Sequence, residues 1–167
     1  LPIFPTIPIA IAFQSLTMIG RTIISRNVGL EELGVYGLAA RFAGVVLIVV
    51  CILGRTWSSL YIGGRKIEEF VQTGPYSIMR NPLYFFSFLG AAGIGMQVGS
   101  VVLGLVCAVL AWLVFYTVVR QEEQVLEARY GAAYLGYLGR VPRFLPNPSL
   151  WHDEPTLTIR PPRVLMT

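Results

Sequence analysis

Charge is what this sequence has least of. Of its 167 residues only 13% are charged, whereas 54% are hydrophobic and the mean hydropathy is +0.64. An ordinary soluble domain carries roughly twice that share of charge. A core of this size cannot hide so much apolar surface behind so little polar cover, and a disordered chain needs the opposite composition. Histidine occurs once, as His152, and cysteine twice, as Cys51 and Cys107. So small a ligand set cannot build a zinc, di-iron or iron–sulfur centre unaided. Both cysteines lie in apolar runs, where a thiol acts as a small hydrophobe and not as half of a disulfide. The net charge of +4 comes from basic residues scattered along the chain. That pattern fits membrane topology and anionic headgroups, not nucleic acid.

What the chain has in place of charge is length of apolar run. Four segments approach the roughly 20 residues that cross a bilayer: about Ile3–Gly20, about Val35–Gly54, Pro82 to about Val98, and about Val101–Val119. The first starts among Pro2, Pro5 and Pro8 and has no charged leader, so it reads as a span and not as a cleaved signal. The second is interrupted only by Arg41. The fold class expected is all-α: a polytopic membrane helix bundle of about four transmembrane helices plus a cytoplasmic amphipathic helix over about Gln121–Leu138. Residues 1–146 are read as one domain. Residues 147–167, with no apolar periodicity, are read as an extended tail.

Loop charges set the expected orientation. The connection Arg55–Asn81 and the tail from Arg120 share a side, because two spans separate them. That side carries Arg55, Arg65, Lys66, Arg80, Arg120, Arg129, Arg140, Arg143, Arg160 and Arg163. The other carries Arg21, Arg26 and Arg41, the first two offset by Glu31 and Glu32, and an uncharged turn at Gln97–Ser100. The positive-inside rule makes the richer side cytosolic.

The third and fourth spans form a hairpin. Ala91, Gly95 and Gly99 recur every four residues and let another backbone approach. Asn81-Pro82 is a helix-start signal, with an asparagine able to cap and a proline tolerated at the first helical position. Two spans of similar length return Arg120, Glu122 and Glu123 to the level of Arg80, Asn81 and Tyr84. Two polar clusters far apart in sequence thereby become neighbours at the cytosolic interface. Glu123, Tyr130, Tyr134 and Tyr137 then fall near one helical stripe, a pattern shared by site residues and by interfacial belt anchors.

Three blocks carry a resemblance: Phe70-Val71-Gln72-Thr73-Gly74-Pro75-Tyr76, Arg80-Asn81-Pro82-Leu83-Tyr84, and Glu122-Glu123-x-x-Leu126 followed by Tyr130-Gly131, Tyr134, Tyr137 and Val141-Pro142-Arg143. In this order, around a transmembrane hairpin, residues 66–146 resemble the C-terminal half of the isoprenylcysteine carboxyl methyltransferases and related phospholipid methyltransferases. The resemblance implies an integral membrane enzyme that uses S-adenosylmethionine, needs no metal, and methylates a lipophilic small molecule or lipid at the cytosolic face. By family position Phe70, Val71, Tyr76, Asn81, Pro82, Leu83 and Tyr84 would line the donor site, completed by Glu122 or Glu123. Arg80, Arg120 and Glu123 would be the catalytic set. This chain has Asn81 where the family usually has histidine, and Val118 or Val119 where the family's substrate-side arginine falls, leaving Arg120 nearest. A membrane reductase of the sterol-reductase type and a non-catalytic scaffold are the competing readings.

Overall fold

The computed structural model describes residues 30–62 and 70–153, with Ser15, Met18 and Thr22 as isolated positions. The expected first span, and the tail after Asp153, lie outside the described residues. Within them the secondary structure is entirely helical: α1 (Leu30–Ile62), the single turn α2 (Pro75–Ile78), α3 (Pro82–Met96), α4 (Val101–Tyr130), α5 (Ala132–Arg140) and a 3-10 turn at Pro148–Leu150. Two of these, α1 with 33 residues and α4 with 30, are long and apolar enough to cross a membrane. At 1.5 Å per residue each runs about 45–50 Å, beyond a hydrocarbon core of about 30 Å. The third expected span, α3, is a shorter apolar helix of 15 residues. Little of this apolar surface is internal. Phe42, Val46 and Leu53 of α1, and Leu105, Leu113 and Val114 of α4, all face outward, as lipid-facing side chains do.

Two boundaries differ from those read in the sequence. The second span does not stop at Gly54 but continues through Arg55 to Ile62. Arg55 is tolerated inside the helix because its guanidinium reaches across to α3, where Nη1 donates to the Leu83 carbonyl at 3.2 Å and to the Ser87 hydroxyl. The amphipathic helix expected over Gln121–Leu138 is two pieces. Its first half is the polar end of α4; the chain then breaks at Gly131, whose φ of +51° suits glycine, and resumes as α5.

Close backbone approach holds the bundle together. A Cβ on Gly93 would meet the Gly44 carbonyl oxygen of α1 at 2.6 Å, and one on Gly95 would meet the Cα of Gly104 in α4 at 2.8 Å. Thus α3 is the middle layer, with α1 on one face and α4 on another. Gly99 has a second task besides packing: its φ of +82° makes the turn, while a Cβ there would meet the Gly37 backbone of α1 at 3.4 Å. Ser100 then caps α4, its hydroxyl accepting from the Leu103 N–H at 3.3 Å.

Past α5 the chain returns over the segment before α3. The Arg80 N–H donates to the Pro142 carbonyl and the Gly74 N–H to the His152 carbonyl, both at 2.9 Å. Trp151 stacks on Trp57 of α1 at 5.8 Å, and the Tyr61 hydroxyl donates to Asp153 at 2.8 Å. The described start of the tail is therefore strapped to the bundle.

Candidate functional site

The site end of the hairpin is organised by one carboxylate. Glu123 is buried on α4. Its Oε1 accepts from Arg80 Nη1 at 3.0 Å and from Arg143 Nε at 3.1 Å, and its Oε2 accepts from Arg143 Nη2 at 2.8 Å. The fork–fork match to Arg143 is the geometry that guanidinium and carboxylate favour. This hydrogen bond, backed by the carboxylate charge, holds the Arg143 pKa above its ordinary value. One buried anion thus ties together the segment before α3, α4 and the segment after α5.

Beside this triad lies an aromatic cluster. Tyr134 and Tyr137 of α5 pack with Val141, and Phe70 inserts among the rings, 4.9 Å from Tyr137 and 5.2 Å from Tyr134 by centroid. The Tyr137 hydroxyl donates to the Tyr76 carbonyl at 2.7 Å, fixing α2 against α5. Burial raises the pKa of Tyr137 and of Tyr76, and pushes that of Tyr134 up to about 12, so all three phenols are neutral at physiological pH. Tyr76 is the unusual member. Its hydroxyl is buried and has no hydrogen-bond partner among the described residues, a state that costs free energy unless something else supplies the partner.

These groups enclose a cavity of about 390 Å³, within the range of small-molecule sites. Phe70, Val71, Tyr76, Asn81, Pro82, Leu83, Tyr84, Glu122 and Glu123 all line it, as does Arg80. The two glutamates divide there. Glu123 is held by the two arginines, whereas Glu122 makes no ion pair among the described residues and lines the cavity together with Tyr84. Asn81 does not cap α3. Its Nδ2 instead donates to the Arg143 carbonyl at 3.3 Å, so the side chain is spent on a tertiary contact.

Arg120 is not brought to the cavity. Val118, Glu122 and Val125 line it, and at 100° per residue Arg120 falls on the opposite side of α4. It is exposed, beside Tyr116. Tyr134 and Tyr137 carried a signal in the stripe of tyrosines and do line the cavity. Arg143 belonged to a quoted motif, but nothing local marked it as the partner of Glu123. Ile62, Gln121 and Val125 also line the cavity; a wall residue of no special chemistry leaves no trace in a sequence. Among the described residues no three of His, Cys, Asp or Glu come together as a metal ion requires.

Residues 33–133, well over half of the chain, match the family model for phospholipid methyltransferases. The chain belongs to that family. Its matches include two bacterial proteins. One is the nickel-cobalt-cadmium resistance protein NccN of Alcaligenes xylosoxydans xylosoxydans, 36% identical over 70% of this chain and 54% of that protein. Another is the cobalt-zinc-cadmium resistance protein CzcN of Cupriavidus metallidurans, 35% identical over 70% of this chain and 53% of that one. A protein-S-isoprenylcysteine O-methyltransferase B of Arabidopsis thaliana is 28% identical over 66% of this chain and 58% of its own length. This phospholipid methyltransferase family member thus spans a little over half the length of the curated relatives it matches. No solved structure matches it.

Proposed function

We propose that the cavity binds S-adenosylmethionine and that the protein transfers its methyl group to a lipophilic acceptor at the cytosolic face of a membrane. The observation that carries this reading is the pairing, in one cavity, of a carboxylate outside the ion triad with a buried unpartnered hydroxyl, Glu122 and Tyr76. A donor that is cationic at sulfur and rich in polar groups fits such a lining. When bound, it supplies a methyl group on a sulfonium, which passes in line to an acceptor lone pair as the carbon–sulfur bond breaks and its electrons remain on sulfur.

The chain's residues have the remaining tasks. Glu122 offsets positive charge or accepts hydrogen bonds from hydroxyl or amino groups. The neutral Tyr76 hydroxyl offers a donor. Phe70, Tyr76 and Tyr84 put aromatic rings in the lining, and a π face attracts a cation. Val71, Pro82 and Leu83 exclude water from the apolar part. Glu123 does not touch the donor in this reading; it positions Arg80. Alignment is the main demand, since holding two reactants in register is the large term for a displacement with an activated leaving group. A carboxylate acceptor needs no base. An amine acceptor must lose a proton, and Glu122 is the cavity carboxylate free to take it. The cytosolic orientation rests on the excess of basic residues at this end.

Calorimetry in detergent tests the reading. S-adenosylmethionine should bind and NADPH should not. Glu122→Gln should weaken donor binding by about 1–3 kcal/mol through loss of charged hydrogen bonds, with thermal stability unchanged. No binding to the wild-type protein would overturn the proposal.

A further inference from the structure

Arg55 is the charge that the methyl-donor reading leaves without a task. It sits in the long apolar helix α1, seven positions before Ile62, which lines the cavity. Seven residues are two turns, so the two side chains share a helix face, and Arg55 lies about 10 Å further along the axis, toward the bilayer interior. Its position across from α3 is fixed. Nη1 alone makes both contacts, to the Leu83 carbonyl and the Ser87 hydroxyl. Leu83 is itself a cavity residue, on the wall that also holds Tyr76 and Tyr84. The helices are in tight contact just beside it: a Cβ on Gly54 would overlap the Phe86 ring at 2.3 Å. The guanidinium therefore stands at the edge of the α1–α3 seam, on the membrane side of the cavity.

Two features separate it from a simple helix clasp. The side chain is exposed, and among the described residues its Nε and Nη2 donate to nothing and no carboxylate pairs with it. At the membrane boundary a guanidinium with unspent donors takes an anion as its best-matched partner, through the planar fork of N–H groups. The cavity wall on α4, where Arg120 was expected, supplies no such cation.

We propose that Arg55 is the specificity-determining residue for the acceptor: an acidic oxygen group of a lipophilic molecule docks on its guanidinium from the bilayer side, between α1 and α3. The acyl or alkyl chain remains among the apolar faces of these helices. This rests on the methyl-donor reading only for the word acceptor; the binding itself is independent of the donor. The fork recognises carboxylate and phosphate alike, and the site discriminates against a bare ammonium.

Three ligands with one chain, oleate, oleylamine and oleyl alcohol, test it by equilibrium binding to the full chain in detergent micelles. Oleate should bind at least tenfold more tightly than either of the others. Arg55→Met should bring oleate down to the level of oleyl alcohol, while oleyl alcohol and S-adenosylmethionine bind as before. Arg55→Lys, which keeps the charge but not the fork, should retain part of the preference and decides the matter if Arg55→Met does not fold. Oleate binding undiminished in the substituted protein, or a wild-type preference for oleylamine, overturns the proposal. Repeating the titration with oleyl phosphate shows whether the site favours carboxylate or phosphate, and failure of both to exceed oleyl alcohol overturns it as well. Absence of S-adenosylmethionine binding in the wild-type protein would sink the methyltransferase reading while leaving the oleate result standing.

Discussion

At one end of the hairpin α3 passes into α4 through Gln97–Ser100 without a charged side chain; at the other the same helices meet two arginines and two glutamates. That turn is closed by near neighbours and by groups of α1, among them the Arg41 carbonyl, which accepts from Gln97 Nε2 at 3.3 Å. The Gly99 N–H donates to the Met96 carbonyl at 2.8 Å, Ser100 caps α4, and the Val101 N–H donates to the Tyr36 hydroxyl at 3.3 Å. The charged end is closed by residues remote in sequence: Arg80 and Arg143 on Glu123, Asn81 on the Arg143 carbonyl, Tyr137 on the Tyr76 carbonyl. A four-residue turn clasped directly by α1 leaves no room between helices. An end assembled from four separate segments cannot pack as tightly, and a cavity results. The contrast explains why a ligand site forms at one end of a hairpin whose two helices are of similar composition along most of their length.

The largest effect should come from removing the anion at the charged end. Glu123→Gln leaves Arg80 and Arg143 facing each other with no carboxylate between them. Breaking a buried pair in this way costs about 3 kcal/mol, the lower part of the usual range because the Arg143 side chain is 34% exposed. Denaturant unfolding in detergent should show the loss, and hydrogen exchange should rise across 121–143 rather than at the turn. A change below 1 kcal/mol, roughly the value of an exposed pair, would mean the triad does not hold this end. A smaller effect is expected at the other end, where Ser100→Ala removes one helix cap, worth about 1 kcal/mol. It should leave S-adenosylmethionine affinity untouched; a parallel loss of affinity would erase the distinction between the ends.

The smallest effect concerns alkaline pH. Tyr134 has its pKa pushed up from 10.0 to about 12 by burial, and those of Tyr137 and Tyr76 are raised for the same reason. The unfolded chain releases these protons near pH 10 while the folded protein retains them. Above that pH the unfolded state binds fewer protons, so stability falls as pH rises, and the contribution is fully present below it. Unfolding curves should therefore be insensitive to these phenols between pH 7 and 9, and Tyr134→Phe should flatten part of the decline above pH 10.

Much of the candidate site was legible because its residues came in short motifs. The similar apolar lengths of the third and fourth runs, with Pro82 at the start of α3, implied that the cluster holding Glu123 would return beside the one holding Arg80. They are 3.0 Å apart. The role of Asn81 was not legible. Before a proline at a helix start the residue resembles a cap, and only the return of Arg143 beside it supplies a different partner. Arg120 was misplaced for the opposite reason: position along a helix says nothing of azimuth, and a displacement of two residues from Glu122 turns a side chain through about 200°.

The sequence by itself determined that this chain is helical and lipid-facing, and which blocks bear polar groups. Those properties follow from composition and from local rules, since in an apolar medium every backbone group must be satisfied within its own helix. Tertiary structure alone decided which of two adjacent glutamates is locked in an ion triad and which faces the cavity, and which arginines serve them. Glu122 and Glu123 are the same residue type in the same motif. They differ only because about 100° of helix rotation points one at Arg80 and Arg143 and leaves the other on the cavity wall, and the partners come from segments that the chain brings back from elsewhere.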